Sequence, residues 1–312
     1  MKYEGENWER DVIAKLASDA LAEQKRSRRW GIVFKVLTFT YLFVLLFIGL
    51  GWMGQGDGIQ VGDHTALVEL NGVIAADSQA NADDITAGLK AAFEADGTQA
   101  VVLRINSPGG SPVQSAVINN EIRRLRELHP DIPLYAVVED ICASGGYFVA
   151  VAADQIFVDR ASIVGSIGVL MNGFGFTGAM DKLGVERRLL TAGDNKGFLD
   201  PFSPLDDGQR SHAREMLGEI HAQFIEAVRK GRGERLKETD QTFSGLMWTG
   251  EKSVEMGLTD AVGSVAYVAR EVVEAEKIIN YSRRENLAER LVRRFGATLA
   301  DALVEGLSPG LQ

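Results

Sequence analysis

Residues 100–111 read Ala-Val-Val-Leu-Arg-Ile-Asn-Ser-Pro-Gly-Gly-Ser. The apolar run at 100–105 predicts a buried strand, and the stretch from Pro112 to Leu128 predicts a helix directly after it. Gly109 and Gly110 lie between the two and allow backbone N–H groups to point at an anion near a helix N-terminus. A glycine turn alone is weak evidence, since most such turns are only tight connections.

The same alternation of strand and helix continues along most of the chain. Strands are predicted at 65–70, 134–138 and 155–158, helices at 83–96, 144–153 and 206–232, and a last strand and helix within 250–270. This order predicts an α/β fold of parallel βαβ units with helices packed outside the sheet. Functional residues are then expected in loops at the carboxyl ends of the strands.

Composition excludes several classes of protein. The chain has 312 residues and a net charge of −10, which argues against a nucleic-acid partner, because such proteins need a basic face. Its one cysteine, Cys142, cannot form an internal disulfide, and its four histidines are scattered. No metal site and no cofactor are therefore predicted.

Residues 31–53 form an almost uncharged segment in which Lys35 is the only charged residue. Its 23 residues are enough for a helix that crosses the hydrocarbon layer, and Trp30 and Trp52 bracket it as interfacial anchors would. A cleaved signal peptide is the main alternative. The long preceding region and the lack of a clear cleavage site favour an uncleaved anchor.

Basic residues before this segment predict its orientation. Lys25, Arg26, Arg28 and Arg29 precede it, whereas residues 54–64 contain no Lys or Arg. The positive-inside rule then places the N-terminus in the cytoplasm and the large C-terminal part outside. The predicted regions are a cytoplasmic amphipathic leader at 1–30, a transmembrane anchor at 31–53, an exported domain at 54–278 and a helical tail at 279–312.

A second glycine turn follows the strand predicted at 134–138. It reads Cys142-Ala-Ser-Gly-Gly-Tyr147, so Ser144 is either a helix N-cap or an exposed nucleophile. The two glycine turns are about 35 residues apart, the span of one βαβ unit, and such units place their loops side by side. One loop could then supply a nucleophile and the other an oxyanion donor.

Four motifs together resemble one family of serine proteases. These are Ser-Pro-Gly-Gly at 107–110, Ala-Ser-Gly-Gly-Tyr-Phe at 143–148, Val-Gly-Ser-Ile-Gly-Val at 164–169 and the loop that carries Lys196. In this order they are similar to the signal peptide peptidase A family in its short, single-repeat form, related to protease IV and SohB-like Ser/Lys proteases. The resemblance covers roughly residues 60–275.

The resemblance implies a ClpP/crotonase-like spiral of βαβ units and a Ser/Lys dyad, with Ser144 as nucleophile and Lys196 as general base. It also implies a homo-oligomeric ring in which the Lys of one subunit completes the site around the Ser of its neighbour. Phe148 departs from the family, which often has a second Tyr there, and Cys142 also differs; neither position touches the dyad.

The residue chemistry is compatible with a dyad. Neither motif region contains a histidine, and a lysine accepts a proton only when neutral, which requires removal from water. Apolar cover could come from the residues beside Lys196, namely Phe198, Leu199 and Phe202. Ser166 is a candidate for orienting the amine. The backbone N–H groups of Gly110 and Gly145 are the candidate oxyanion donors, and Gly109 permits the turn. The alternative for Lys196 is an ordinary solvated loop charge.

The function predicted is that of a serine endopeptidase anchored in the inner (cytoplasmic) membrane, acting outside the cytoplasm on hydrophobic peptides such as remnant signal peptides. A non-proteolytic membrane scaffold of the same fold is the first alternative. A crotonase-type acyl-CoA enzyme is the second, but the outside location would deny it CoA.

The last stretch of sequence predicts a basic amphipathic helix. Arginines accompany apolar residues that recur every four positions, namely Leu287, Leu291, Phe295, Leu299 and Leu303. Such a helix could lie on an anionic membrane, pack on a partner subunit or cover its own domain.

Overall fold

The computed structural model describes residues 8–49 and 62–283. They belong to two units, one containing the N-terminal helix and the other containing residues 62–283. The predicted C-terminal amphipathic helix and the end of the predicted membrane segment after Gly49 lie outside the described residues.

Helix α1 runs without a break from Trp8 to Gly49. The sequence predicted an amphipathic leader and a separate apolar span, whereas the structure joins them in one helix of 42 residues, about 63 Å long. Within it, Val12–Leu46 is long and apolar enough to cross a membrane by length and composition, and its side chains are exposed. An exposed apolar helix of this length is consistent with a membrane anchor.

The second unit is built on one mixed sheet. Its strands are β1 (His64–Asn71), β2 (Thr98–Ser107), β3 (Leu134–Ala143), β4 (Gln155–Val158), β5 (Ile163–Gly165), β6 (Met247–Thr249), β7 (Ala261–Val262) and β8 (Ile278–Asn280). The order is β6-β5-β3-β2-β1-β8, with β4 beside β3 and β7 beside β4. The pair β5–β6 is antiparallel and the other pairs of named strands are parallel.

Strand β3 pairs with two strands along one of its edges. Its first half, Tyr135–Val137, pairs with β4, and its last residues, Ile141–Ala143, pair with β5. The opposite edge of β3 pairs with β2. The carboxyl end of β3 is therefore held between β2 and β5, directly before Ser144.

Between β1 and β4 the helices connect parallel neighbouring strands as βαβ units, and after β5 they connect strands that are not parallel neighbours. They are α2 (Ala82–Glu94), α3 (Pro112–Leu128), α4 (Gly145–Ala150), α5 (Thr177–Leu183), α6 (Asp207–Arg232), α7 (Gly250–Glu255) and α8 (Val265–Tyr267). Ser111 caps α3, because its side chain accepts a hydrogen bond from the Gln114 N–H and proline follows at the first helical position. The inward face of α3 buries Ile118, Ile122 and Leu125 in the main apolar core.

The predicted α/β class, with parallel βαβ units after one N-terminal apolar helix, is confirmed. The bounds of α3 and β4 agree with those predicted from the sequence. Within 250–270 the predicted strand and helix are present as β7 and α8, but a helix that was not predicted, α7, precedes them. Thr249 explains the early helix: its hydroxyl accepts a hydrogen bond from the Lys252 N–H and so caps α7.

A buried ion pair fixes the end of α6. The guanidinium of Arg232 is 1% exposed and donates two hydrogen bonds to the Asp260 carboxylate, at 2.9 and 2.8 Å. Burial raises the pKa of Asp260, but the hydrogen bonds and charge of Arg232 outweigh this effect and the pKa is lowered overall. The carboxylate also accepts the Ile156 N–H, which connects α6 to β4.

Replacing Asp260 by Asn should lower the free energy of unfolding by about 3–5 kcal/mol, since it leaves the Arg232 charge buried and unpaired. Glu251→Gln is the control, because its ion pair with Arg160 is exposed and worth about 0–1 kcal/mol. Urea unfolding of the full chain measures both. A carboxylate with a lowered pKa stabilises the fold at higher pH, so the effect of Asp260→Asn should shrink only below about pH 4. Equal losses in the two variants at pH 7 would contradict this assignment.

Candidate active site

Ser144 lies at the turn between β3 and α4 in an unusual backbone conformation. Its φ and ψ are 51° and −123°, outside the regions that a non-glycine residue ordinarily adopts. Holding a residue there costs on the order of 1–3 kcal/mol and is typical of functional sites. Its N–H donates to the Gly165 carbonyl at 2.9 Å, and its own carbonyl accepts the Phe148 N–H at 2.9 Å.

The side chain of Ser144 makes no capping hydrogen bond to α4. The residue is half-buried and lines an open cleft. The N-cap alternative left open by the sequence is therefore not the role the structure gives this hydroxyl, which is free to face a ligand in the cleft.

The first glycine loop contacts this turn directly. Gly109 has φ +98°, and a Cβ built on it would lie 2.6 Å from the Gly145 nitrogen and 2.8 Å from the Ser144 Cβ. A Cβ on Gly110, where φ is +153°, would overlap the Ile74 carbonyl oxygen. Only glycine permits backbone approach this close.

Two backbone N–H groups remain available beside Ser144. Within residues 8–49 and 62–283, the N–H groups of Gly110 and Gly145 donate to no other residue. The Gly110 nitrogen is 3.2 Å from the position of a Cβ on Gly145, so the two groups are neighbours. Free N–H groups next to a nucleophile are the arrangement that stabilises an oxyanion.

The cleft beside Ser144 has a volume of about 430 Å³ and a largely apolar lining. Phe148 and Phe224 meet in it with their ring centroids 5.2 Å apart. Ile220 of α6 and Ala116 of α3 also line it. Such a lining suits an apolar side chain of a ligand.

Ser166 follows β5 and also lines the cleft. Its φ is +51°, again rare for a non-glycine residue, and its N–H donates to the Leu246 carbonyl at 2.7 Å. Because the Gly165 carbonyl accepts the Ser144 N–H, Ser166 is held next to the turn that carries Ser144.

The structure does not bring Lys196 into this cleft. Its side chain is exposed, is not among the residues that line the cleft, and has no hydrogen bond or ion pair with any described residue. The apolar residues expected to cover it do not bury it within one copy of the chain. Phe198 packs instead against His212, and Phe202 stacks on Phe176.

The segment around Lys196 is an apolar arm, residues 169–206, that packs little against the rest of the domain. Helix α5 has no buried residue. The apolar side chains of Leu170, Phe174, Leu183 and Leu190 are between 76% and 95% exposed. An apolar surface of this extent is typical of an interface with another molecule.

Sequence reasoning missed the parts of the cleft contributed by distant elements. Ile220 and Phe224 belong to α6, and Ser244 and Gly245 precede β6, so no local motif marks them. Ser115 is fully buried and also lines the cleft, and it could have been predicted from the sequence. It is four residues after Ser111 and therefore lies on the same side of the helix as the end of the glycine loop.

The thiol of Cys142, two residues before Ser144, is not suited to act as a nucleophile. Cys142 is fully buried, and burial raises the pKa of its thiol, which keeps the sulfur neutral. Among the described residues, no group of three or more His, Cys, Asp or Glu side chains is placed to hold a metal ion.

Part of this chain is similar to known proteins. Residues 126–279 match the model of peptidase family S49. A Brucella melitensis protein named Na(+)/H(+) antiporter NhaA is 47% identical over 183 residues, which are 58% of this chain and 24% of that protein. An Enterococcus faecium protein named as a signal peptide peptidase SppA is 30% identical over 204 residues, 63% of this chain and 59% of that protein. Protease 4 of Haemophilus influenzae is 28% identical over 259 residues, 81% of this chain and 41% of that protein.

The chain thus spans between 24% and 59% of the length of these relatives. Since the shared segment is 24% of the Brucella protein, ion transport does not carry over to this chain. A solved structure of the 1510-N membrane-bound stomatin-specific protease, with a substrate peptide, covers 76% of this chain and 99% of its own, with 14% identity and a TM-score of 0.48.

Gly110→Ala should lower kcat for a fluorogenic peptide by about 10²–10³-fold, because the added Cβ meets the Ile74 carbonyl and displaces one oxyanion donor. Gly72→Ala is the matched control. Gly72 also has a positive φ, +88°, but a Cβ there meets nothing within 4 Å. We expect this control to retain kcat within about threefold. A folded Gly110→Ala variant with the kcat of the control would show that the loop only makes a turn.

Proposed function

We propose that this chain, whose residues 126–279 match the peptidase family S49 model, is a membrane-anchored serine endopeptidase that hydrolyses hydrophobic peptides. The observation that carries the proposal is the placement of Ser144. Its strained turn presents the hydroxyl to an apolar cleft, beside two backbone N–H groups that have no other partner in the described chain.

In the proposed reaction, the Ser144 Oγ attacks the carbonyl carbon of the scissile peptide bond while the Lys196 Nζ takes the hydroxyl proton. The N–H groups of Gly110 and Gly145 donate to the oxyanion that forms. When the C–N bond breaks, Lys196 gives the proton to the departing amine. Water then attacks the acyl-Ser144 ester, Lys196 accepts a proton from that water, and the proton returns to the Ser144 Oγ as the acid leaves.

Lys196 acts in this scheme from a second copy of the chain. Within one copy its side chain is exposed and outside the cleft. A lysine becomes a base when burial against apolar surface favours its neutral form. Packing of the apolar arm on a neighbouring copy supplies such a surface, and a ring of copies lets each Lys196 reach the next Ser144. In that assembly Ser166, which lines the cleft, orients the incoming amine.

The cleft and the N-terminal helix together suggest the substrate class. The rings of Phe148 and Phe224 favour apolar side chains at the scissile position. Helix α1 anchors the enzyme in the cytoplasmic membrane, with the basic residues before its apolar part on the cytoplasmic side and the peptidase domain outside. Hydrophobic peptides that remain in or near that membrane, such as remnant signal peptides, are then the substrates within reach.

A non-proteolytic scaffold of the same fold is the alternative. The exposed apolar arm would serve it equally well. It gives no use, however, to the strained conformation of Ser144 or to the two unpaired N–H groups beside that residue. The two proposed functions differ in whether activity requires the Ser144 hydroxyl.

Ser144→Ala and Lys196→Arg should each abolish peptide hydrolysis by the detergent-solubilised chain, since Arg keeps the charge of Lys but cannot accept a proton. Mixing the two inactive variants, unfolded together and refolded, should restore roughly a quarter of the parent activity if copies assemble at random and each site uses two of them. Each variant refolded alone is the control.

Three outcomes of this experiment would contradict the proposal. Turnover by Lys196→Arg alone would exclude Lys196 as the base. Turnover by Ser144→Ala alone would exclude Ser144 as the nucleophile. A mixture that assembles but stays inactive would show that Lys196 serves the Ser144 of its own copy.

A further inference from the structure

Helix α3 carries polar side chains on the face that contacts α4, the helix that follows Ser144. Ser115, Asn119 and Arg123 follow one another at four-residue spacing and so lie on one side of the helix. Ser115 is 0% exposed and Asn119 is 3% exposed. Burial of polar groups is unfavourable unless they are hydrogen-bonded, so the partners of these residues indicate what they do.

Ser115 lies between the two loops of the site. Its hydroxyl donates to the Ser111 carbonyl at 2.9 Å, at the end of the first glycine loop. The same Oγ is 2.5 Å from the position of a Cβ on Gly145. This residue therefore contacts both the loop that offers one N–H group and the turn that offers the other.

Asn119 binds the helix that follows Ser144. Its Nδ2 donates to the Phe148 carbonyl at 2.6 Å, and the Phe148 N–H in turn donates to the Ser144 carbonyl at 2.9 Å. Helix α4 has only six residues, too few for a helix to hold its position without outside contacts. Asn119 is thus two hydrogen bonds away from the nucleophile.

Arg123 decides which way the amide of Asn119 points. Its Nε donates to the Asn119 Oδ1 at 2.9 Å. A guanidinium only donates hydrogen bonds, so the amide oxygen must face Arg123 and the amide nitrogen must face the Phe148 carbonyl. The Nη2 atom of Arg123 is buried without a partner among the described residues, which is unfavourable and calls for an explanation.

We propose that Asn119, oriented by Arg123, is a positioning residue that fixes the place of Ser144 relative to the loop of Gly109 and Gly110. Ser115 lies between that loop and the turn of Ser144 and keeps the distance between the two. The proposal rests on the proposed function, because it concerns the same nucleophile. Catalysis depends steeply on the placement of reacting groups, so a small shift of α4 lowers kcat strongly, whereas KM changes less because the cleft is also lined by α3, α6 and the residues after β5.

The first test compares two near-isosteric substitutions on α3 in the full, detergent-solubilised chain. Asn119→Leu removes the donor to the Phe148 carbonyl of α4, while Gln114→Met removes the acceptor that α3 offers to the Ala82 N–H at the start of α2 and leaves the bond to α4 in place. We expect Asn119→Leu to lower kcat about tenfold or more with KM within about twofold. Gln114→Met should keep kcat within about twofold, even where the thermal midpoints of the two variants fall equally. Equal kcat values in the two variants would overturn the proposal.

The second test uses Arg123, which is partly exposed and so is less critical for folding if Asn119→Leu does not fold. Arg123→Lys keeps a donor-only side chain and should retain kcat within about threefold, whereas Arg123→Gln offers an acceptor as well, lets the Asn119 amide turn over, and should lower kcat about tenfold with KM unchanged. Equal kcat in these two variants would remove the orienting role.

Ser144→Ala, measured in parallel, distinguishes a failure of the proposed function from a failure of the positioning role of Asn119. Full activity in Ser144→Ala would refute the proposed function itself. An inactive Ser144→Ala together with an Asn119→Leu variant that behaves like Gln114→Met would leave the function standing and refute only the positioning role.

Discussion

The contact between two backbone segments, Gly109–Gly110 and Ser144–Gly145, is the constraint on which the site depends. A Cβ on Gly109 would lie within 2.8 Å of the Ser144 side chain and of the Ala143 carbonyl, so the loops can meet only because the first one has no side chain there. Parallel pairing of β2 with β3 brings both loops to the same edge of the sheet. The proposed oxyanion donors are thus backbone N–H groups, and no side chain in the cleft has to supply them.

The surrounding elements hold that contact from several sides. Strand β5 pairs with the end of β3, and its Gly165 carbonyl fixes the Ser144 N–H. Three residues after Ser144, Tyr147 is fully buried and its hydroxyl donates to the Leu258 carbonyl, close in sequence to Asp260, which pairs with Arg232. In the proposed function, one copy of the domain lacks the general base. The exposed Lys196 and the apolar arm around it are then proposed to form one interface, which brings the base to the cleft of a neighbouring copy.

Local sequence was enough to predict the α/β class, the bounds of α3 and the two glycine loops, because each follows from a continuous pattern of apolar, capping and turn residues. The antiparallel pairing of β5 with β6 was not predictable, since these three-residue strands are about eighty residues apart and neither has a periodicity of its own. The strained φ of Ser144 was equally invisible: local preference disfavours it, and tertiary contacts impose it. The exposure of Lys196 in one copy could not be predicted from its apolar neighbours in sequence, because Phe202 stacks on Phe176 and Phe198 packs on His212 of α6.

The central claim is that Ser144 is the nucleophile of a serine peptidase, and the most direct measurement is covalent capture. The detergent-solubilised chain is treated with a fluorophosphonate, which phosphonylates activated serines, and the modified residue is located by mass spectrometry of its peptides. The account predicts a single adduct, on Ser144, and loss of peptide hydrolysis in proportion to labelling. An active chain whose Ser144 remains unmodified, or whose activity survives complete modification of Ser144, would contradict it.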